Sequence, residues 1–149
     1  MKYYPLYEKT AREAHDMNHF GPFRSDEPAY RAEVDEAYKA AEEAAEKNPE
    51  QRDRAYAKAD RFAKGLADWY NKGYRIDSMC PSVLIAGPAN FPMHKKEKQN
   101  RALDVHYKEL DKLARLKESI ASIGDSGHII RSNDENAAKK LEEKDRNAH

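Results

Sequence analysis

SDEPAYRAEVDEAYKAAEEAAEKNPEQRDRAYAKADRFAKGLADWYNKG, running from Ser25 to Gly73, is the stretch whose reading decides the fold. Ser25 can cap a helix, Pro28 suits a first turn, and Asp26 and Glu27 favour the positive end of the helix dipole. The helix is expected to reach about Lys47 and to stop at Asn48-Pro49. Tyr30, Val34, Ala37, Tyr38, Ala41 and Ala45 form its narrow apolar stripe. The opposite face is acidic, with Glu33, Glu36, Glu42, Glu43 and Glu46 joined by Asp35 against Arg31, Lys39 and Lys47. Solvation is the ordinary reading of such a face; contact with a partner, or mimicry of a nucleic-acid backbone, is the sharper one.

A second helix follows, to about Lys72, with Gly73 as its stop. Ala55, Ala59, Phe62, Leu66 and Trp69 alternate steps of four and three, which is a heptad seam. Its flanks are basic: Arg52, Arg54, Lys58, Arg61 and Lys64. An acidic and a basic helix on a short Asn-Pro connection predict an antiparallel hairpin with complementary charges beside the apolar stripes.

Outward from the hairpin, the N-terminal side begins with Tyr3, Tyr4 and Tyr7 around Pro5-Leu6. TAREAHDMNHF then reads as a short helix ended by Gly21-Pro22. His15 and His19 have i,i+4 spacing that suits a shared metal. No third ligand lies nearby and the HExxH order is absent, so no metal site is expected.

On the other side, Pro81 to Arg101 reads PSVLIAGPANFPMHKKEKQNR. Val83, Leu84 and Ile85 are the one solid aliphatic block of a very polar chain. They suit a buried extended or helical plug rather than a sheet, since no second convincing strand exists to pair with. Cys80, just before Pro81, reads as a small buried hydrophobe. After the Gly87-Pro88 and Phe91-Pro92 loop comes the densest cationic cluster: His94, Lys95, Lys96, Lys98 and Arg101, with Asn90, Gln99 and Asn100. Two readings stand side by side. The cations contact phosphate backbone, or they balance the acidic helix.

A third long helix is expected from near Pro92 to Ile123, roughly 45 Å at 1.5 Å per residue. Leu103, Tyr107, Leu110, Leu113 and Ile120 supply its stripe, with His106, Leu116 and Ile123 at the edges. Gly124 to Gly127 should end it, and Ser132-Asn133-Asp134-Glu135 should start a weakly apolar last helix. The expected fold is therefore mostly α: an antiparallel hairpin packed against a third long helix, with short N- and C-terminal helices. One domain over 1–149 is anticipated, divided into 1–23, 24–73, 74–123 and 124–149.

Composition narrows the function classes. The 149 residues are 36% charged, and 27 basic side chains cancel 27 acidic ones, so net charge does not direct the chain to nucleic acid. Nine tyrosines and a tryptophan argue against disorder. A single cysteine excludes an internal disulfide framework. No apolar run approaches the roughly 20 residues that span a bilayer, and MKYYPLYEK lacks a signal-peptide core. A cytoplasmic protein without membrane contact is expected. No carboxylate pair, triad or metal set stands out, and neither GxxxxGK[ST] nor GxGxxG is present, so no catalytic residue and no cofactor are expected.

YYPLYEKTAREAHDMNHF, AYRAEVDEAYKAAEEA, RFAKGLADWYNKGYRIDSMCPSVLIAGPANFPMHKKEKQNRA and, more loosely, IRSNDENAAKKLEEK cover nearly the whole chain. These blocks resemble a domain found repeatedly in proteins of phages, plasmids and integrative conjugative elements, often at the head of large polyvalent proteins. PSVLIAGPANFP-x-x-KKEKQN is the specific motif. Members of that family usually carry a longer final helical hairpin, and no catalytic residues transfer from them. The resemblance implies a mobile-element accessory protein, for instance an anti-defence inhibitor of the anti-CRISPR type acting on nucleic acid or a host nucleoprotein. The alternative from the heptad seams is a helical scaffold that self-associates or binds another protein without touching nucleic acid.

Overall fold

The computed structural model describes residues 1–82, Gly87 and 91–134, with side chains described as far as Asp125. Expectations that fall on Val83, Leu84, Ile85, Pro88, Asn90 and the last helix beyond Asp134 lie outside the described residues. Those residues form four α-helices and no strand: α1 (Glu8–Asn18), α2 (Glu27–Lys47), α3 (Arg52–Asp77) and α4 (Met93–Asp134), with a 3-10 turn at Pro49–Gln51 between α2 and α3. The mostly α architecture anticipated from the hairpin pattern is the one observed.

The chain divides into two compact units, and α2, α3 and α4 each contribute to both. The first unit comprises residues 34–62 and α4 from Arg115 onward. Val34, Ala37, Ala41 and Ala44 of α2 are buried there with Ala55, Ala59 and Phe62 of α3 and with Ile120 and Ile123 of α4. Alanine is frequent because it allows close approach of helices without losing helix propensity. Tyr38 and Tyr56, on either side of the 3-10 turn, bring their rings to 6.2 Å, so the chain doubles back there. The α2 seam uses Ala44 where the periodicity put Ala45, which is only half-buried.

Gly124 does not end the third long helix, as its residue type suggested. A Cβ at this position would lie 3.1 Å from the Cα of Ala44, so the missing side chain is what lets α4 meet the α2 backbone. Glycine inside a helix costs about 1 kcal/mol relative to alanine, and the close contact offsets that cost. Asn48 Nδ2 donates to the Ile123 carbonyl at 3.4 Å, and Lys58 Nζ donates to Ser119 Oγ at 3.0 Å.

The second unit comprises residues 2–33 and 63–114. Its core combines Leu6, Ala11, Ala14, Tyr30, Ala63, Leu66, Ala67, Tyr74, Ile76 and Cys80. Three buried polar side chains organise it: Asn71, Gln99 and His106. Asn71 holds the N-terminal segment, accepting the Tyr7 N–H at 2.7 Å and donating to the Pro5 carbonyl at 3.0 Å. Gln99 Nε2 donates to the Ile76 carbonyl at 2.8 Å, satisfying one of the acceptors that the end of α3 leaves open. Tyr30 Oη donates to the Ala63 carbonyl at 2.7 Å and accepts the Tyr4 N–H at 3.0 Å, tying α2 to α3 and to the N-terminus. Ser25 Oγ accepts the Glu27 N–H at 3.0 Å at the start of α2, the capping role read from the sequence.

Two expectations are corrected in this unit. Gly73 does not close α3, which continues to Asp77. A Cβ at Gly73 would lie 2.9 Å from His106 Nε2, so this glycine is the hollow that receives the imidazole. Tyr107 does not belong to the α4 stripe; it is 60% exposed, and His106 is the buried member of that turn. Trp69 is half-buried rather than a core residue, with its ring stacked on His106 at 4.2 Å and its Nε1 donating to the His106 carbonyl at 2.7 Å.

Phe62→Ala is expected to destabilise the protein by about 3–5 kcal/mol, read by urea denaturation. Gly73→Ala should lower stability by about 1 kcal/mol, because overpacking against the pinned imidazole (about 1–3 kcal/mol) outweighs the gain in helix propensity. Gly65→Ala meets only the terminal Cδ2 of Leu113, which can swing aside, so its midpoint should stay level or rise.

Candidate functional site

The cationic cluster begins where α4 begins. Pro92 leads into the helix, the Met93 N–H donates to the Phe91 carbonyl at 2.9 Å, and the Lys96 N–H donates to the Pro92 carbonyl at 3.1 Å. The other three helices carry an acid in the first turn: Glu8, Glu27 and Asp53. The first turn of α4 carries none and holds His94, Lys95 and Lys96 instead. Cations there stand against the positive end of the helix dipole, an unfavourable placement of a few tenths of a kcal/mol or more each unless an anion joins them.

The five expected cations do not act alike. Lys96 is half-buried; its Nζ donates to Gln99 Oε1 at 2.8 Å and lies 5.9 Å from the Phe91 ring centre. His94, Lys95, Lys98 and Arg101 are exposed. His94, Lys98 and Arg101 stand at i, i+4 and i+7 on one face, and Lys95 flanks it. The same face continues through Val105 to Lys108 and Lys112, also exposed, which the sequence reading did not include. The helical period alone would have found them. Glu97, Asp104 and Asp111 run along one edge of this stripe at seven-residue spacing.

Among the described residues, no ion pair engages Lys95, Lys98 or Arg101. Some lysines elsewhere are paired: Lys64 with Asp68 at 2.9 Å and Lys72 with Glu109 at 2.8 Å in this unit, and Lys47 with Asp125 at 3.8 Å in the other. On the acidic helix, Glu33, Glu36, Glu42, Glu43 and Glu46 are all exposed. Glu36 is met by Lys117 of α4, which holds its carboxyl below the usual range. The cation that balances this acid therefore comes from farther along α4 than the Lys95–Arg101 cluster.

His15 and His19 bring their rings to 5.1 Å, and His15 Nε2 makes a 3.0 Å hydrogen bond with the Gly21 carbonyl. Among the described residues no group of three His, Cys, Asp or Glu side chains is placed to hold a metal. Cys80 is fully buried. No helix among the described residues is long and apolar enough to cross a membrane.

His106 is the polar residue that sequence reasoning left at the edge of the seam. Burial lowers its pKa below the ordinary imidazole value of 6.5; nearby Glu109 opposes that shift and Lys72 adds to it. Among the described residues its Nδ1 has no hydrogen-bond partner, and it lies 3.8 Å from Glu109 Oε1.

No family model, curated protein or solved structure matches this chain.

Changing Lys95, Lys98 and Arg101 together to Ala should leave the melting midpoint within the range of ordinary surface substitutions, about 0.5 kcal/mol either way for each. The His106 imidazole takes up its proton at lower pH when folded than when unfolded. The unfolded chain therefore binds more protons in the window just below pH 6.5, and stability falls as the pH drops through it. Urea midpoints at pH 7.5 and 5.5 should show this loss in the native protein and a smaller one in His106→Phe, which keeps a ring against Trp69.

Proposed function

We propose that this chain is a non-enzymatic binding module that uses the exposed cationic face at the start of α4 to engage the phosphate backbone of a nucleic acid or of a nucleoprotein complex. One observation carries the reading: Lys95, Lys98 and Arg101 are exposed and unpaired among the described residues, at a helix start with no acid in its first turn. Such cations are available to a polyanion without first breaking an internal contact. Lys108 and Lys112 on the same face extend the surface along the helix. Zero net charge is compatible with this, because association responds to local charge within a Debye length of about 8–10 Å.

The resemblance of PSVLIAGPANFP-x-x-KKEKQN to a mobile-element domain adds the biological setting. The module is an accessory factor, and inhibition of a nucleic-acid-guided defence complex of the CRISPR type is the role that suits a polar binder of phosphate backbone from such an element. The cytoplasm is the compartment in which such a target resides. Self-association is the competing reading, and the exposed Val105 and Tyr107 side chains of α4 favour it.

Fluorescence anisotropy with labelled duplex DNA and single-stranded RNA across a salt series tests the proposal. Affinity should fall by roughly 0.9 log units per tenfold salt for each phosphate contact on duplex DNA. The Lys95, Lys98 and Arg101 triple alanine variant should bind more weakly with a shallower slope. Unaltered affinity in that variant, together with a concentration-dependent dimer in sedimentation, would transfer the assignment to the scaffold reading.

A further inference from the structure

The second unit also contains a cleft of about 470 Å³, within the roughly 300–1,000 Å³ typical of small-molecule sites. Its lining sorts into three chemistries. The first is a wall of rings: His15 and His19 lie 5.1 Å apart with 30° between their planes, and Phe23 stands edge-on to His15 at 5.8 Å. The hydrogen bond from the His15 ring to Gly21 fixes this wall, and His19, its outer ring, is exposed. The second is a pair of cations. Lys96 spends one donor on Gln99 and keeps two; Arg24 makes no hydrogen bond or ion pair among the described residues. The third is a pair of carboxylates. Asp26 accepts the Tyr74 hydroxyl at 2.7 Å, whereas the Asp77 carboxylate has no such donor among the described residues. Ser82 Oγ, also in the lining, is buried without a hydrogen-bond partner among the described residues.

A purely apolar ligand does not suit these walls, since two cations and two carboxylates would lose solvation on closure without gaining partners. A simple anion uses the cations and leaves the carboxylates facing it. A ligand that matches all three chemistries carries an anion, hydroxyl donors and a planar ring. We propose that the cleft binds a nucleoside monophosphate unit, either free or at the end of a strand, with its phosphate on Arg24 and Lys96, its ribose hydroxyls donating to Asp77, and its base along the His15–His19 wall. Arg24 presents a planar fork of donors that matches phosphate oxygens in pairs. Partial desolvation raises the pKa of Asp77, with His19 and Lys96 opposing the shift, so its carboxylate stands to gain from a new donor. The Ser82 hydroxyl is a further group for the ligand to satisfy. The inference stands apart from the backbone-binding face: Lys96, the inward cation, belongs to the cleft, and the outward cations of α4 do not line it.

Titration of the full chain, followed by ¹H–¹⁵N correlation spectra, tests it with two probes: AMP, and a 5′-phosphorylated tetranucleotide. Saturable shifts at His15, His19, Arg24 and the Gln99 side-chain amide are expected with one or both probes, and which probe acts distinguishes a free ligand from a strand end. Arg24→Ala, at an exposed position, should weaken binding about tenfold or more, the scale of one charge-assisted contact of about 1.4 kcal/mol or above. Asp77→Asn should reduce the preference for AMP over its 2′,3′-dideoxy analogue. The Lys95, Lys98 and Arg101 triple variant should bind AMP as the native protein does, which separates this site from the face on α4. Absence of saturable shifts with both probes overturns the inference, as does inorganic phosphate binding as tightly as AMP, or Arg24→Ala binding like the native chain.

Discussion

The second unit depends on the seating of His106. An imidazole that is almost fully buried, where burial disfavours its charged form, has to find a flat surface and a hollow. It finds the Trp69 ring on one side and the bare Cα of Gly73 on another. The Trp69 Nε1–H bonds the His106 backbone carbonyl, so one residue of α4 is gripped through both its ring and its main chain by residues four apart on α3. That grip sets the rotation of α4. With His106 inward, Gln99 lies one heptad earlier on the same side, where it reaches the carbonyl at the end of α3. Tyr107, Lys98 and Arg101 are consequently turned outward.

This rotation connects packing to the candidate site. Lys96 is drawn towards Gln99 and the cleft, while its neighbours on α4 remain in solvent. A cluster that is continuous in sequence is thereby split into one inward cation and three outward ones, with His94 beside them. Each outward side chain is exposed enough that pairing with an internal acid would contribute only about 0–1 kcal/mol. Leaving them unpaired costs the fold little and keeps them available. The two proposed surfaces share a helix but use different chemistry: a salt-sensitive array of point charges on the outside, and a set of rings, cations and carboxylates lining the cleft.

Much of the architecture was legible because it rests on local rules. The 3.6-residue period of Tyr30, Val34, Ala37 and Ala41, the capping serine at Ser25 and the Asn48-Pro49 break all describe forces acting within a few residues of chain. The buried Ala55, Ala59, Phe62 and Leu66 seam follows the same logic. The misread boundaries share a cause. Gly73 and Gly124 read locally as stops because glycine weakens an isolated helix, yet each is a contact surface for another helix, and no local rule reports what will press against a missing side chain.

By itself, then, the sequence determined the helical class, the hairpin and the location of the basic cluster, since hydrophobic period, capping and charge density are properties of neighbouring residues. Tertiary structure alone decided that His106 rather than Tyr107 faces inward, that Lys96 parts from Lys95 and Lys98, and that Arg24, Asp77 and Ser82 line one cleft with His15 and His19. These outcomes depend on the burial of polar groups against partners tens of residues away, such as Gln99 on Ile76 and Asn71 on Pro5. The free energy of a buried polar atom is set by the partner it finds, and that partner exists only once the chain has folded.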